Sequence, residues 1–263
     1  MLDGTSTPAP FVRLVGGLSL TVQGRSLPIP PGGRRLLAYL ALHPSGVDRR
    51  VVAGVLWPEV DDGRAAGNLR SALWRLHRVG CPLVRAEGSV LSLHGDVGVD
   101  LSLLEEWAAR VLRGEPLAAD LTVDPAPLAE LELLPGWYDD WVLGVRERSQ
   151  LRMLHALEAL SRLLRAAGRP AAAVEAMHVA VAAEPLRESG QRALIEAHLA
   201  EGNWVAARRQ YDAFRSILRR EIGVEPSAEL TAVAAPPRPR PLPVLAVPPR
   251  PRPGSRAGLA HGG

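Results

Sequence analysis

The stretch from Val47 to Val79, VDRRVVAGVLWPEVDDGRAAGNLRSALWRLHRV, constrains the fold of this chain more than any other. It parses as two helices joined by a short connector that contains a proline. Asp48 can cap the first helix, whose apolar residues are Val51, Val52, Val55 and Leu56. Pro58 stops that helix, because the residue before a proline is pushed out of helical geometry. Asp61 or Asp62 can cap the second helix by accepting a hydrogen bond from its free N–H groups. There Ala65, Leu69, Ala72, Leu73 and Leu76 share one stripe at helical spacing. Arg64, Asn68, Ser71, Trp74, Arg75 and Arg78 fall mostly on the other side, with Arg70 at its border. From Arg64 to Arg85 there are five arginines and no acid. A phosphate backbone and guanine edges require such a face on the second helix of a helix-turn-helix. Taken alone, an arginine face is more often merely solvated, so the flanking segments have to decide.

All 31 basic side chains are arginine, and lysine is absent. That excludes a P-loop lysine, a Schiff-base lysine and a kinase lysine, and with them several enzyme classes. The single Cys81 rules out an internal disulfide and a cysteine-based zinc site, and points to a reducing compartment. Met1-Leu2-Asp3-Gly4 begins no basic, apolar signal sequence. No apolar run reaches membrane-spanning length. A cytoplasmic, nucleoid-associated protein with no membrane partner is expected. The net charge of +3 hides a division. Residues 1–95 hold eleven arginines against six acids, residues 96–234 fifteen against twenty-two, and residues 235–263 five against none. A basic first unit and an acidic second one fit a polyanion-binding module joined to one that binds protein.

Before the two helices, Leu18, Leu20 and Val22 alternate with polar residues and read as a half-buried strand. Val12 and Leu14 suggest a strand ahead of it, and Gly16-Gly17 a turn between. Gln23-Gly24-Arg25 turns the chain toward Leu27 and Ile29, and Pro28, Pro30 and Pro31 end the strands. A helix is predicted from Arg34 to Leu42. After Gly80, residues 84–86 and 90–93 flank Glu87-Gly88, a two-residue hairpin turn. Residues 11–95 resemble the winged-helix DNA-binding domain of OmpR-type response regulators. Further on, Leu134-Pro135-Gly136-Trp137-Tyr138-Asp139-Asp140-Trp141 precedes a long helix from Glu147 to Leu164, and Glu225-Pro226-Ser227 closes the unit. These segments resemble the bacterial transcriptional activator domain of the antibiotic-regulatory-protein (SARP) family, and the resemblance spans roughly residues 11–232. It rests on the order of segments rather than on one short motif. His77 departs from it, since the family often has a basic residue there.

The acidic half also reads without the family. Residues 99–113 form an amphipathic helix ended by Gly114-Glu115-Pro116, and residues 117–135 look like an irregular connection. An internal repeat follows. Gly168 and Gly202 are 34 residues apart, as are Ala159 and Ala193, Leu160 and Leu194, Ala172 and Ala206, and Ala173 and Ala207. This is the tetratricopeptide period of paired helices, with small residues at the crossing and a glycine at the turn. Gly202 is expected to let its helix pair cross closely. Glu184-Pro185 and Glu225-Pro226 end the two units at an offset of 41, which predicts a last helix about two turns longer. Residues 235–263, mostly Pro, Arg, Gly and Ala, are expected to be disordered.

The expected fold is therefore mainly α. A flexible leader over 1–10 precedes a winged helix-turn-helix with a small β-sheet and wing hairpin over 11–95. An all-α, tetratricopeptide-like activator domain over 96–234 follows, and a tail over 235–263. The expected DNA-contacting residues are Arg64, Asn68, Arg70, Ser71, Trp74, Arg75, Arg78 and Arg85. Arg75 and Asn68 suit guanine and adenine edges, Arg70 and Arg78 suit phosphates, and Arg85 in the wing suits the minor groove or phosphate. Trp74 is as readily a packing residue as a contact to sugar or a thymine methyl. Trp137, Tyr138 and Trp141 fit core packing better than a ligand platform. The histidines are scattered, and no catalytic, metal or cofactor site converges. His155 and Glu158 look like a surface hydrogen bond, and Gly32-Gly33 like a turn. The resemblance implies an activator that reads promoter repeats in double-stranded DNA as a homodimer or in tandem, and contacts RNA polymerase. The rival reading is a tetratricopeptide adaptor whose winged helix does not read DNA. A regulator shorn of a nucleotide-switch domain ranks third.

Overall fold

Alternation of Leu18, Leu20 and Val22 with polar neighbours, with Val12 and Leu14 ahead of it, builds a first sheet, in a computed structural model that describes residues 9–122 and 132–235. Most of the expected leader, and the tail from residue 236, lie outside the described residues. Strands β1 (Phe11–Arg13), β2 (Ser19–Val22) and β3 (Arg25–Leu27) form an antiparallel meander. Val12, Leu14 and Leu20 are fully buried beneath it. Helix α1 (Pro31–Ala41) begins three residues before the predicted Arg34, because Pro31 occupies the first helical turn and draws Gly32 and Gly33 into it. The expected turn at those glycines is therefore helix. A Cβ on Gly33 would stand 2.7 Å from Cδ2 of Leu76, so its absence lets α1 lie close on a later helix.

A two-residue strand, β4 (Val47–Asp48), leads into α2 (Arg49–Leu56), and α3 (Asp62–His77) follows. Asp48 caps α2 by accepting from the Arg50 N–H at 2.8 Å. Asp61, rather than Asp62, caps α3 by accepting from the Arg64 N–H at 3.0 Å. On α2 the buried residues are Val52, Ala53 and Leu56; Val51 is half exposed, contrary to expectation. Strands β5 (Val84–Glu87) and β6 (Val90–Leu93) make the wing. Glu87 pairs with Val90, so the turn is Gly88-Ser89, one residue later than predicted. Strand β4 joins this hairpin in the order β4-β6-β5.

The first core does not stop at residue 95. Strand β7 (Gly98–Val99) runs parallel to β1 and completes the sheet order β3-β2-β1-β7. The Asp100 carboxylate accepts from the backbone N–H groups of Leu14 and Val15. Leu101, Leu133, Leu134 and Val142 are buried in the same cluster as Leu37, Leu56 and Leu76. Trp137 and Trp141 pack on its edge, with Trp141 edge-on to Tyr39 of α1 at 5.2 Å between ring centres, whereas Tyr138 is 79% exposed. The expected aromatic packing thus holds for the two tryptophans and not for Tyr138.

Helix α4 (Asp100–Arg113) opens the second unit. Residues 118–122, expected to be irregular, form a 3-10 turn whose buried Asp120 takes two hydrogen bonds of 2.8 Å from the Arg110 guanidinium. Then come α5 (Asp140–Ala166), α6 (Pro170–Ala183), α7 (Glu188–Ala200), α8 (Trp204–Glu221) and α9 (Ala228–Val233). The repeat-related residues Ala159, Leu160, Ala173, Ala193, Leu194 and Ala207 are all buried. Three particulars differ from the sequence reading. Helix α8 is longer than α6 by four residues, about one turn and not two. Gly202 sits at a turn with φ +80°, and a Cβ there would meet nothing within 4 Å; the alanines, not this glycine, make the crossing. Glu158 is buried and bonded to Arg187 and Ser189, each within 2.8 Å, so no surface bond to His155 forms.

Candidate nucleic-acid interface

The amphipathic pattern of α3 sets the geometry of the site. Ala65, Leu69, Ala72 and Leu76 are buried against α1 and α2, so the opposite side of the helix faces outward. Arg64, Asn68, Arg70, Ser71, Trp74, Arg75 and Arg78 are all exposed. Leu73, assigned to the buried stripe, is only partly covered. The outward side also carries Gly63 and Gly67, set between Arg64, Asn68 and Arg70.

The arginines are not equivalent. Arg64 pairs with Asp61 at 3.4 Å, an exposed contact of small energetic weight. Arg70 bends back until its Nη2 lies 3.7 Å from where a Cβ of Gly67 would stand. The Arg78 guanidinium lies over the Trp74 ring, 4.8 Å from its centre. Arg75 lies across the first turn of α1, and its guanidinium occupies the space that a Cβ on Gly32 would need. Among the described residues, Arg70, Arg75 and Arg78 have no acidic partner. Arg85 is on the wing and is paired with Glu87.

The start of α2 belongs to the same region. The Arg49 N–H donates to the Ser89 carbonyl at 2.7 Å, which ties α2 to the wing turn. Hydrogen bonds from the Ser89 side chain and the Arg50 backbone hold the Asp48 carboxyl below its usual range. Arg50 is exposed on the first turn of α2, beside the wing. The sequence reading passed over it, although an arginine pair directly after a capping aspartate was the available signal. Among the described residues no group of His, Cys, Asp or Glu could hold a metal ion.

A helix-turn-helix with a wing is thus joined through a shared core to stacked helix pairs. The sequence profile of the bacterial transcriptional activator domain matches residues 101–236. The chain belongs to that family, and with the winged helix ahead of the matched segment it is a SARP-type transcriptional regulator. Among solved structures, that of Mycobacterium tuberculosis EmbR in complex with a low-affinity phosphopeptide is similar in fold, with a TM-score of 0.62 at 20% identity. The match covers 86% of this chain and 64% of that one, so the chain spans less than two thirds of that protein. No curated protein sequence matches the chain. Among the described residues no helix is long and apolar enough to cross a membrane.

Proposed function

We propose that the chain binds promoter DNA sequence-specifically and activates transcription, with α3 in the major groove. One observation carries this reading. The outward side of α3 presents Arg70, Arg75 and Arg78 without acidic partners among the described residues, so their charge is available to an external anion. Arg75 and Asn68 are assigned to base edges, with Ser71 beside them; Arg64, Arg70 and Arg78 are assigned to phosphates. Arg85, and Arg50 with it, secure the backbone next to the wing. The protein acts in the cytoplasm, at the nucleoid. Two copies occupy neighbouring repeats, as a homodimer or in tandem. The stacked helix pairs of the second unit supply the contact between copies, or to RNA polymerase, since such repeats present extended surfaces to protein. The scheme divides the chain into a leader over 1–10, a reading unit over 11–95, an activator unit over 96–234 and a tail over 235–263, with the reading unit leaning on core residues beyond 95.

The test is a gel shift over a salt series with duplexes selected from a random library. Specific binding should weaken steeply with salt, because each neutralised phosphate releases counterions. Arg75→Ala should cost about 1–3 kcal/mol on the selected site and much less on random DNA. Arg208→Ala, on the far helical unit, should change neither. An equal loss for Arg75→Ala on both DNAs makes Arg75 a phosphate contact. Absence of any salt-dependent, sequence-specific shift leaves the adaptor reading.

A further inference from the structure

Trp74 stands where a reading helix meets its target, and a phosphate ligand is not what an indole offers. It is 59% exposed, the most exposed of the large apolar side chains of the first unit among the described residues. It projects opposite the buried stripe of α3, on the side that also carries Gly63 and Gly67. Among the described residues Trp74 is the one exposed large apolar side chain of α3, so it is the apolar group that a surface approaching this side meets. One face of the ring is already taken by the Arg78 guanidinium, 4.8 Å from the ring centre. That contact also limits the positions the ring can take. With 59% of the residue exposed, the rest of the indole offers an apolar surface. The floor of a major groove offers one projecting apolar group, the C5-methyl of thymine. Sugars offer apolar surface too, but at the groove walls and at every base pair alike.

We propose that Trp74 is a specificity-determining residue that reads thymine through its methyl group. Arg78 holds the ring while meeting a phosphate. This rests on the reading of α3 as the groove-binding helix. Burying one methyl is worth roughly 0.8 kcal/mol, which converts to about a fourfold change in affinity.

The experiment uses the full chain and a duplex selected from a random library, with each thymine replaced in turn by deoxyuridine, which lacks only that methyl. The wild type should lose about fourfold at one or two positions and nothing elsewhere. Trp74→Ala should bind the thymine duplex about tenfold more weakly and be indifferent to the same replacements. Trp74→Phe, which keeps an apolar ring, should retain part of the sensitivity. The proposal is overturned if the wild type binds specifically yet ignores every deoxyuridine. It is equally overturned if Trp74→Ala keeps the wild-type sensitivity, or loses the same factor on all sequences, which would place the ring on the sugars. Should the chain select no sequence at all, the reading of α3 falls together with it.

Discussion

Arginine is used in opposite ways in the two halves of this molecule. Among the described residues, ten of the fifteen arginines between 96 and 234 have a carboxylate within ion-pair distance. Only three of the eleven between 9 and 95 do: Arg35, Arg64 and Arg85. With lysine absent, both halves draw on the same side chain, so the difference lies in where the acids are. The helical unit sets acids beside its own arginines, and some of these pairs tie helices together, as in Arg165–Glu196 between α5 and α7. The winged unit withholds acids from the outward side of α3. A cation left unpaired by its own protein is available to a polyanion, which is why the pairing pattern says more than the net charge.

The two halves are nonetheless one piece mechanically. Arg35 of α1 is paired with Asp139 just before α5, and Arg146 of α5 donates to the carbonyls of Leu133, Leu134 and Trp137. The largest expected effect follows from this. A fragment ending at residue 95 loses β7, the Asp100 contacts and the buried side chains Val99, Leu101, Leu133, Leu134 and Val142. At roughly 1.5–3 kcal/mol per buried aliphatic side chain, the loss exceeds about 5 kcal/mol. That is comparable to the whole stability of a typical domain. A fragment of residues 9–95 should therefore be largely unfolded in urea melts, and one of residues 9–146 should fold. Equal stability of the two would make the shared core incidental and the two halves separable.

Two glycines sharpen the comparison. Gly33→Ala places a methyl 2.7 Å from Leu76 at the crossing of α1 and α3 and should destabilise by about 1–3 kcal/mol through overpacking. Gly202→Ala meets no neighbour within 4 Å, but its φ of +80° disfavours any side chain. The expected loss is about 1 kcal/mol. Thermal melts of the full-length variants separate the cases. A revertant that trims Leu76 to Val should recover part of the Gly33→Ala loss, while no packing change should rescue Gly202→Ala.

Much of this was legible in the sequence, for identifiable reasons. The helical stripe of α3, its capping aspartate, the wing and the 34-residue repeat are local patterns, and local patterns survive in one dimension. What escaped depends on partners distant in sequence. Strand β7 has two residues and exists only because β1 is beside it. Leu133 and Leu134 lie in a polar, proline-rich stretch, and their burial is decided by a core built more than fifty residues earlier. Gly202 and Gly33 are the same residue type, and only the backbone angle and the neighbour across the gap tell a turn from a crossing. In the candidate site the exposure of the α3 side chains other than Leu73 followed from periodicity. The leaning of Arg75 onto Gly32 and of Arg78 onto Trp74 did not, because long side chains settle on whatever surface the fold provides.

The smallest expected effect concerns acid. Each half holds an aspartate below its usual range by different means. Asp120 is held chiefly by hydrogen bonds from the Arg110 guanidinium, and Asp48 chiefly by hydrogen bonds from the Ser89 side chain and the Arg50 backbone. A carboxylate with a lowered folded-state pKa contributes stability above its unfolded value of about 3.9, and that contribution disappears as pH falls through the folded value. Asp120→Asn and Asp48→Asn should therefore each cost stability at pH 6, and the cost should shrink below about pH 4 as the wild type is protonated. Asp120 has only 6% of its side chain exposed and a charged partner. Its difference should be the larger of the two and should persist in 0.5 M salt, because solvent ions screen a buried pair poorly. Urea melts of the three proteins between pH 3 and pH 6 decide it. A cost for Asp120→Asn that is constant across that range would show that shape, not charge, holds the turn at 118–122, and the contrast between the two aspartates would be lost.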